Sequence, residues 1–127
     1  MAKRKSINIT GFRHQNPIPN ATRIGNLLMS GIVLGFDPGT RNLPADLDGQ
    51  LTNVFAHVKE IAETAGGSTD DIIKITVWLK DPSNRELLNK HWLRMFPDET
   101  ARPSRHTQPL TGDTKALVQC DIVAVFG

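Results

Sequence analysis

Two stretches of the chain repeat apolar residues at the spacing of one helix face. The first stripe consists of Leu51, Val54, Phe55, Val58, Ile61, Ala62 and Ala65. Gly66 and Gly67 follow it and predict the end of that helix. The second stripe consists of Leu87, Leu88, His91, Trp92 and Met95 and stops before Pro97. Ser83 and Glu86 stand three residues apart, which is the pattern of a capping box and predicts the start of the second helix.

Three other stretches predict β-strands. The run "LLMSGIVLGF", residues 27–36, is apolar and is closed by the turn residues of "DPGTRN". In "IIKITVWL", residues 72–79, Ile73, Ile75, Val77 and Leu79 alternate with Lys74, Thr76 and Trp78, as in a strand with one dry face. In "KALVQCDIVAVF", residues 115–126, Val118, Cys120, Ile122 and Ala124 alternate with Gln119, Asp121 and Val123. Such alternation predicts strands that are buried on one side.

The order of these elements predicts an α+β fold in which two helices pack on one face of a single mixed sheet. We expect one domain over residues 1–127, in which residues 1–14 form partly a tail and partly a first strand. The opposite face of the sheet would carry Thr76, Trp78, Gln119 and Asp121. A semi-polar face of this kind is commonly buried by self-association, so we expect a symmetric homo-oligomer.

The near balance of charges in the chain does not favour a nucleic-acid partner. Its 15 Lys and Arg residues nearly balance 13 Asp and Glu residues, so the formal net charge is +2. The cluster "AKRK", residues 2–5, is best explained as a solvated N-terminal tail. No apolar run approaches the length of a membrane span, and no signal-peptide pattern opens the chain. We therefore expect a cytoplasmic protein that needs no membrane.

We expect neither a metal nor another cofactor. The four histidines have no HxH or HxxxH spacing, and a single cysteine cannot complete a zinc set. The segment "AGGST" lacks the preceding strand and the lysine of a P-loop. Cys120 shares the apolar side of its strand, so we interpret it as a buried hydrophobe and not as a reactive thiolate. His91 and Trp92 fit the helix stripe and are expected to be packing residues.

A few polar residues are candidates for chemistry. Arg105, in "RPSRHTQPL", could grip a carboxylate with its guanidinium fork, or could be a surface arginine or part of one ion pair. Asp121 is an acid in the middle of an apolar strand, which is costly unless that strand face is hydrated or the acid is paired. Ser30 precedes Gly31, which would let a ligand approach the backbone. Asn89 lies beside the apolar stripe of the second helix and could equally face water.

Taken together, the motifs resemble the reactive intermediate deaminase family, the Rid or YjgF-like proteins. The segments that carry the resemblance are "GNLLMSG", "QLTNVF", "AGGSTDDIIK", "LNKHW", "RPSR" and "VQCDIVA". The resemblance extends over roughly residues 15–126 and implies a chorismate-mutase-like fold assembled as a homotrimer. In that family, clefts between subunits take small imine or enamine acids, and water releases ammonia to leave a 2-oxo acid.

The resemblance also implies roles for individual residues. Arg105 matches the arginine that holds the substrate carboxylate, Ser30 and Gly31 match the cleft serine and the glycine after it, and Asn89 matches a helix asparagine near the cleft. With Val118 and Ala124 as anchors, Asp121 takes the place of the family glutamate. A slip of register would put Gln119 there instead. Both side chains share a strand face, but only the aspartate could accept a proton from water.

The sequence departs from the family pattern in three ways. The chain has no tyrosine, so the usual cleft tyrosine near the N-terminus is missing from "NPIPNATRIG". Asp121 is one methylene shorter than a glutamate, and "RPSRHT" adds Arg102 and His106. The first two departures leave open a trimer that binds a small carboxylate without turnover, as a sensor or with a partner enzyme. Arg102 and His106 would fit a branch of the family with a different substrate. RNA cleavage, attributed to some relatives, is disfavoured by the near-neutral charge.

Overall fold

One seven-stranded mixed sheet and two helices make up the computed structural model, which describes residues 3–127. The helices are α1, Leu47–Thr64, and α2, Arg85–Met95. The strands are β1 Lys5–Ile7, β2 Ala21–Ile24, β3 Leu27–Ser30, β4 Val33–Leu34, β5 Ile72–Leu79, β6 Ser104–Pro109 and β7 Val118–Val125. Met1 and Ala2, at the start of the expected tail, lie outside the described residues.

The strands are arranged in the order β1-β2-β3-β7-β5-β6, and β4 also pairs with β7. β5 and β6 run parallel, whereas the other pairs are antiparallel. A parallel pair needs a crossover connection, and α2 supplies it. β6 follows α2 along the chain and forms one edge of the sheet. Gly25, with a φ of +56°, allows the tight two-residue turn between Ile24 and Leu27 that joins β2 to β3.

Both helices pack on the same face of the sheet, as the sequence predicts. This covered face buries alternate side chains of the central strands: Ile75, Val77, Leu79, Val118, Cys120, Ile122 and Ala124. α1 and α2 contribute Leu51, Val54, Val58, Ile61, Leu88 and Trp92 to the same core. The predicted burial of His91, Trp92 and Cys120 is confirmed. The free energy gained from this burial, about 25 cal/mol for each Å² of apolar surface, fixes which face the helices cover.

Within residues 3–127, no helix lies over the other face of the sheet, and we call this face the open face. Its central part is formed by Leu27, Met29, Thr76, Trp78, Gln119, Asp121, Val123 and Val125. Met29 is 56% exposed and pairs with Val123 across the two strands. The open face is thus apolar at its β3 side and mixed elsewhere, which is the semi-polar character expected from the sequence.

The strand predicted over 27–36 is wrong as a single element. It is divided into β3 and β4, and between them three residues, 30–32, stand opposite two residues, 121–122, of β7. One strand therefore carries one residue more than its partner, which is a β-bulge. Gly35 then passes so close to α1 that a Cβ atom there would lie 2.5 Å from the carbonyl oxygen of Gln50. The residues on both sides of Ser30 and Gly31 are apolar, so the hydrophobic pattern alone does not mark the bulge.

A second bulge makes the prediction for Ile73 wrong. The sequence places Ile73 on the dry face, but its side chain is 51% exposed and Ile72 is buried instead. In the pairing with β7, Ile72 lies opposite Ala124 and Lys74 lies opposite Val123, so Ile73 has no partner of its own. The extra residue shifts the alternation at the start of β5 by one position. From Ile75 onward, the predicted alternation is confirmed.

The capping box predicted at Ser83 and Glu86 is also wrong. α2 begins at Arg85 after Asn84, and the Ser83 hydroxyl donates to Asp81 Oδ1 at 2.6 Å instead. A capping box forms at Ser68 and Asp71, where it opens the short 3-10 turn before β5. α1 starts at Leu47, four residues before its apolar stripe. The stripe does not include this first turn, because the turn packs only partly against the core.

Candidate functional site

Arg105 projects from the edge strand β6 toward α2. It lies in register with Ile75 of β5, so it shares the covered face. Its Nη2 donates a hydrogen bond of 2.8 Å to Oδ1 of Asn89, and its guanidinium carbon lies 5.0 Å from the centre of the Trp92 ring. A guanidinium held by an amide on one side and an aromatic ring below has a fixed direction. The structure thus brings two sequence-predicted residues, Arg105 and Asn89, into direct contact.

A surface depression of about 480 Å³ opens beside this arginine. It is lined by Asn89, Trp92, Leu93, Arg102, Pro103 and Arg105. Burial lowers the pKa of the Arg105 guanidinium, and the nearby charge of Arg85 lowers it further. An arginine nevertheless keeps its charge at any physiological pH. The depression therefore presents a permanent cation beside apolar walls, a combination that suits the carboxylate of a small organic acid.

Asp121 lies in the middle of the open face. It is half-buried on β7 and stands opposite Thr76 of β5. Burial raises the pKa of its carboxyl group, while a hydrogen bond from Thr76 and the charge of Lys74 act in the opposite direction. The net pKa lies above the ordinary aspartate value. A carboxylate with a raised pKa is a better proton acceptor than an ordinary one, which is a property of general bases.

Ser30 and Gly31 occupy the bulge next to Asp121. The Ser30 hydroxyl accepts a hydrogen bond of 2.8 Å from the amide of Ile122, which belongs to the peptide group that follows Asp121. The same hydroxyl donates to the carbonyl oxygen of Gly31 at 2.8 Å. Gly31 is exposed, and a Cβ atom there would meet no atom closer than 3.8 Å. The backbone at Gly31 is thus open to a ligand, next to the serine and the aspartate.

Gln119 shares the open face with Asp121, as the alternation predicts. It stands opposite Trp78 of β5 and Leu34 of β4 and is half-buried. Gln119 and Asp121 are two positions apart on one strand, so both side chains could contact the same region of a bound molecule. The role of Asp121 in place of the family glutamate stays a prediction, and only its carboxylate has the acid-base chemistry that the glutamate position requires.

The predicted site residues therefore form two separate groups within one chain. Arg105 and Asn89 lie at the edge of the covered face, whereas Asp121 and Gln119 lie on the open face with Ser30 and Gly31 beside them. β5 stands between the strands that carry Arg105 and Asp121. One chain alone does not assemble the whole set around one small molecule.

His14 is a neighbour of this site that the sequence reasoning missed. Its Nε2 atom lies 3.8 Å from the position that a Cβ atom on Gly31 would take. That nitrogen is buried and has no hydrogen-bond partner within residues 3–127. Burial lowers the pKa of the imidazole, and the charge of Arg41 lowers it further, so His14 is neutral near pH 7. No periodic pattern surrounds His14 in the sequence, so only the fold could place it beside Gly31.

Two residues of the family motif "QLTNVF" have structural roles. Gln50 is fully buried, donates to the carbonyl oxygens of Pro44 and Lys115, and accepts from the amide of Leu117 at 2.8 Å. Asn53 donates to the carbonyl oxygen of Gly35 and to the carboxylate of Asp37. These side chains satisfy buried or partly buried backbone groups of the loops that precede β7 and follow β4.

Cys120 lies next to Asp121 in the sequence but does not belong to the candidate site. Cys120 is buried, and burial together with the charge of Asp121 raises the pKa of its thiol well above the ordinary value, so it is no nucleophile near pH 7.

Within residues 3–127, the side chains of His, Cys, Asp and Glu form no group of three or more that could hold a metal ion. In the same part of the chain, neither helix has the length and apolar character of a membrane span.

Comparison with known proteins identifies the family. A model of the family described as Endoribonuclease L-PSP matches residues 13–125. The chain belongs to this family. Its structural relatives carry the names RidA and YjgF, so the resemblance inferred from the sequence motifs is confirmed.

Curated relatives of this family member cover about two thirds of it. A RutC family protein of Haemophilus influenzae is 33% identical over 82 residues, which are 65% of this chain and 63% of that protein. A RutC family protein of Pyrococcus horikoshii is 32% identical over 90 residues, 70% of each chain. The 2-iminobutanoate/2-iminopropanoate deaminase of Escherichia coli is 29% identical over 85 residues, 67% of this chain and 66% of that enzyme.

Solved structures match the fold over nearly the whole chain. RidA from an Antarctic Psychrobacter species superposes with a TM-score of 0.87 at 27% identity, covering 96% of this chain and 99% of that one. The YjgF gene product of Escherichia coli gives a TM-score of 0.85 at 25% identity, covering 95% and 98% of the two chains. The single mixed sheet with two helices is thus the fold of the Rid proteins.

Proposed function

We propose that this family member hydrolyses reactive 2-imino and 2-enamino acids to 2-oxo acids and ammonia. The name of the Escherichia coli deaminase, a relative at 29% identity, supports imine hydrolysis as the general activity. The observation that carries the proposal is the state of Arg105. It is half-buried, is oriented by Asn89 and Trp92, and makes no ion pair with any acid of residues 3–127. Such a cation is suited to the carboxylate that every 2-imino acid carries.

The second part of the proposal is that the active site lies between copies of the chain in a homotrimer. Arg105 and Asp121 lie on opposite faces of their own sheet, so a site that uses both needs Asp121 from another copy. The exposed apolar residues Leu27, Met29 and Val125 give the open face a reason to be buried against a neighbour. A closed ring would then bring the covered-face edge of one chain to the open face of the next.

The reaction follows from these positions. The iminium acid is held through its carboxylate by Arg105, and Asn89 keeps the guanidinium directed at it. The oxygen of a water molecule attacks the C=N carbon while Asp121 accepts one of the water protons, and the π electrons of the C=N bond move to nitrogen. Asp121 then returns its proton to that nitrogen. The C–N bond breaks as the hydroxyl oxygen forms the C=O bond, so ammonia and the hydroxyl proton leave together as ammonium.

The neighbours of Asp121 supply the remaining contacts. The open backbone at Gly31 and the Ser30 hydroxyl lie where the substrate would meet the strand that carries the base. Gln119 can hydrogen-bond the attacking water or the leaving nitrogen from the same strand face. An enamine is converted to the imine by protonation at carbon before water attacks. Because imines hydrolyse in water without help, positioning and one general base, each worth about 10²-fold or more, suffice.

The alternative is a trimer that binds a small carboxylate without turnover. The missing tyrosine and the shorter acid favour it, because a carboxylate displaced by one methylene loses the geometry that proton transfer needs. The depression beside Arg105 would be the same in such a protein. RNA cleavage, which the description of the family suggests, has little support here because the formal net charge of the chain is only +2.

The deciding experiment measures the loss of imine. Imino acids are generated from amino acids by an amino-acid oxidase, and the remaining imine is trapped with semicarbazide. We expect the wild type to accelerate the loss, and Arg105→Ala and Asp121→Asn to return it to the spontaneous rate. Arg94→Ala, which removes an exposed arginine from the other side of α2, is the matched control and should retain full activity. A wild type that is inactive on small and bulky imines would leave the binding protein as the function.

A further inference from the structure

Two arginines line the depression described above, and a third lies near one of them. Arg102 and Arg105 both line it, and Arg85 lies close enough for its charge to act on Arg105. Arg85 is the first residue of α2, one turn before Asn89, and Nε of Arg85 donates to the carbonyl oxygen of Pro82 at 3.0 Å. Like charges gathered in this way repel one another unless an anion is bound among them. One carboxylate needs only one guanidinium fork.

Arg102, the other arginine that lines the depression, is held by two hydrogen bonds. Its Nε donates to the carbonyl oxygen of Phe96 at 2.9 Å, and its Nη2 donates to that of Pro97 at 3.2 Å. Both carbonyls follow the end of α2, where a cation is favourable. These bonds orient the guanidinium and leave other N–H groups for a ligand, since an arginine has five donors. Arg102 is therefore more than a loose surface charge, because its direction is set before any ligand binds.

No acidic side chain neutralises this cluster within residues 3–127. None of the three arginines forms an ion pair there, and none of the residues that line the depression is acidic. Arg102 contributes to the lowered pKa of Asp98. The larger contributions to that pKa come from the hydroxyl and the amide of Thr100, which donate to the Asp98 carboxylate. A bound anion would therefore supply the counter-charge that the described side chains do not give to Arg102 and Arg105.

We propose that the substrate is an imine of a small amino dicarboxylic acid, such as that of aspartate or glutamate, and that Arg102 binds its second carboxylate. The inference rests on the proposed function and adds the class of substrate to it. Arg105 holds the carboxylate next to the C=N bond, Arg102 holds the distal one, and Leu93 and Trp92 contact the carbons between them. The hydrolysis is the one described above, and the second carboxylate passes through it unchanged. Arg102 is thus a specificity-determining residue.

The test compares two imines on three proteins. The dicarboxylic imine is generated from D-aspartate or D-glutamate with a D-aspartate oxidase, and the monocarboxylic imine from D-alanine with a D-amino-acid oxidase. Wild type, Arg102→Gln and Arg94→Gln are compared. Arg94 is exposed on α2 and lines a different groove. Its replacement therefore removes one positive charge, as Arg102→Gln does, without changing the depression.

We expect the wild type to prefer the dicarboxylic imine in kcat/KM by about tenfold or more, which corresponds to about 1.4 kcal/mol. Arg102→Gln should abolish that preference, whereas Arg94→Gln should keep both the preference and the rates of the wild type. If the wild type hydrolyses both imines equally well, or if the two variants behave alike, the dicarboxylate proposal is wrong although the hydrolase function stands.

A binding measurement separates the two failures. Calorimetry with 2-oxoglutarate and 2-oxobutanoate compares a dicarboxylic and a monocarboxylic product analogue without any turnover. If no imine is hydrolysed but 2-oxoglutarate binds at least about tenfold more tightly, and Arg102→Gln removes the difference, the proposed catalysis fails and the dicarboxylate specificity stands. If neither acid is preferred in a protein without turnover, both proposals fail.

Discussion

Arg105 and Asp121 project from opposite faces of one sheet, with only β5 between the strands that carry them. Arg105 is in register with Ile75, whose side chain is buried under the helices, whereas Asp121 is in register with Thr76, whose side chain faces the other way. Because successive side chains of a strand point to opposite faces, no rotamer change brings the two groups together within a chain. Their cooperation in one reaction requires two copies.

This relationship predicts that two inactive variants complement each other. If Arg105→Ala and Asp121→Asn chains are refolded as an equal mixture, about a quarter of the interfacial sites receive an intact arginine and an intact aspartate. We expect the mixture to recover about that share of wild-type imine hydrolysis, whereas each variant alone stays at the spontaneous rate. Refolding each variant by itself is the control. A mixture that recovers nothing would place both residues in one chain's own site or remove one of them from the reaction.

A charge on the open face should separate the copies. Met29 is 56% exposed and lies beside Val123 in the apolar part of that face. We expect Met29→Glu to convert the proposed homotrimer to monomers, because an interface that buries an unpaired carboxylate is strongly disfavoured. Light scattering after size-exclusion chromatography would show a mass three times that of the chain for the wild type and one chain's mass for the variant.

The control for this change lies on the helix layer. Ala56 is exposed on α1, away from the open face, and Ala56→Glu adds the same charge there. We expect the Ala56→Glu protein to keep the mass of the wild type. If Met29→Glu keeps it too, or if the wild type is already a monomer, the open face is not the interface and the active site cannot be built in the way proposed.

The raised pKa of Asp121 sets the pH dependence. As a base it must be ionised, so kcat/KM should fall as the pH drops through a pKa above the ordinary aspartate value. Stability should change in the opposite sense. Because the folded state binds this proton more tightly than the unfolded state, the contribution of Asp121 to the free energy of unfolding falls as the pH rises from the ordinary to the raised pKa.

Asp121→Asn should therefore be inactive at every pH and at least as stable as the wild type at pH 7. Urea denaturation at pH 4 and pH 7, together with a pH profile of imine hydrolysis, measures both effects. A variant that loses activity because it has lost stability would contradict this assignment and make Asp121 a structural residue.

Gln50 provides a test of the fold that does not depend on function. Gln50→Leu removes the acceptor of the Leu117 amide and the donor to the Pro44 and Lys115 carbonyls, and the Gln50 side chain that makes these bonds is fully buried. We expect a loss of about 2–4 kcal/mol in the free energy of unfolding, because each unsatisfied buried group costs about 1–3 kcal/mol. Gln15→Leu, at an exposed position, should change it by less than about 0.5 kcal/mol. Equal effects would mean that the buried bonds contribute little.

The hydrophobic periodicity predicts the central elements because burial on one face decides them. The two helix stripes and the alternation of β7 are all confirmed, and they are the segments whose packing against the core is repeated over several turns or residue pairs. Ile73 and the run 27–36 were predicted wrongly because a bulge adds one residue to one strand. Such an insertion depends on the pairing with β7, which is distant in sequence.

The cap at Ser83 illustrates a local signal that has two solutions. Its hydroxyl can satisfy either the first turn of α2 or the carboxylate of Asp81, and the Asp81-Pro82 turn favours the second. The same kind of signal at Ser68, followed by Asp71, forms a complete capping box because β5 begins directly after it. Which serine caps an element is therefore a matter of how the chain continues.

By itself, the sequence determined the α+β class, the covered face, the burial of Cys120 and the family, because each of these depends on residue types repeated at a fixed spacing or order. Only the tertiary structure decided that Arg105 joins Asn89 while Asp121 joins Ser30 on the other side of the sheet, and that His14 lies beside Gly31. The physical reason is that these neighbours come from segments far apart in the chain, whose contacts depend on strand order and on bulges. The fold also brings Arg85, at the start of α2, close enough for its charge to act on Arg105, whereas Arg102 is already a neighbour of Arg105 in the motif "RPSR".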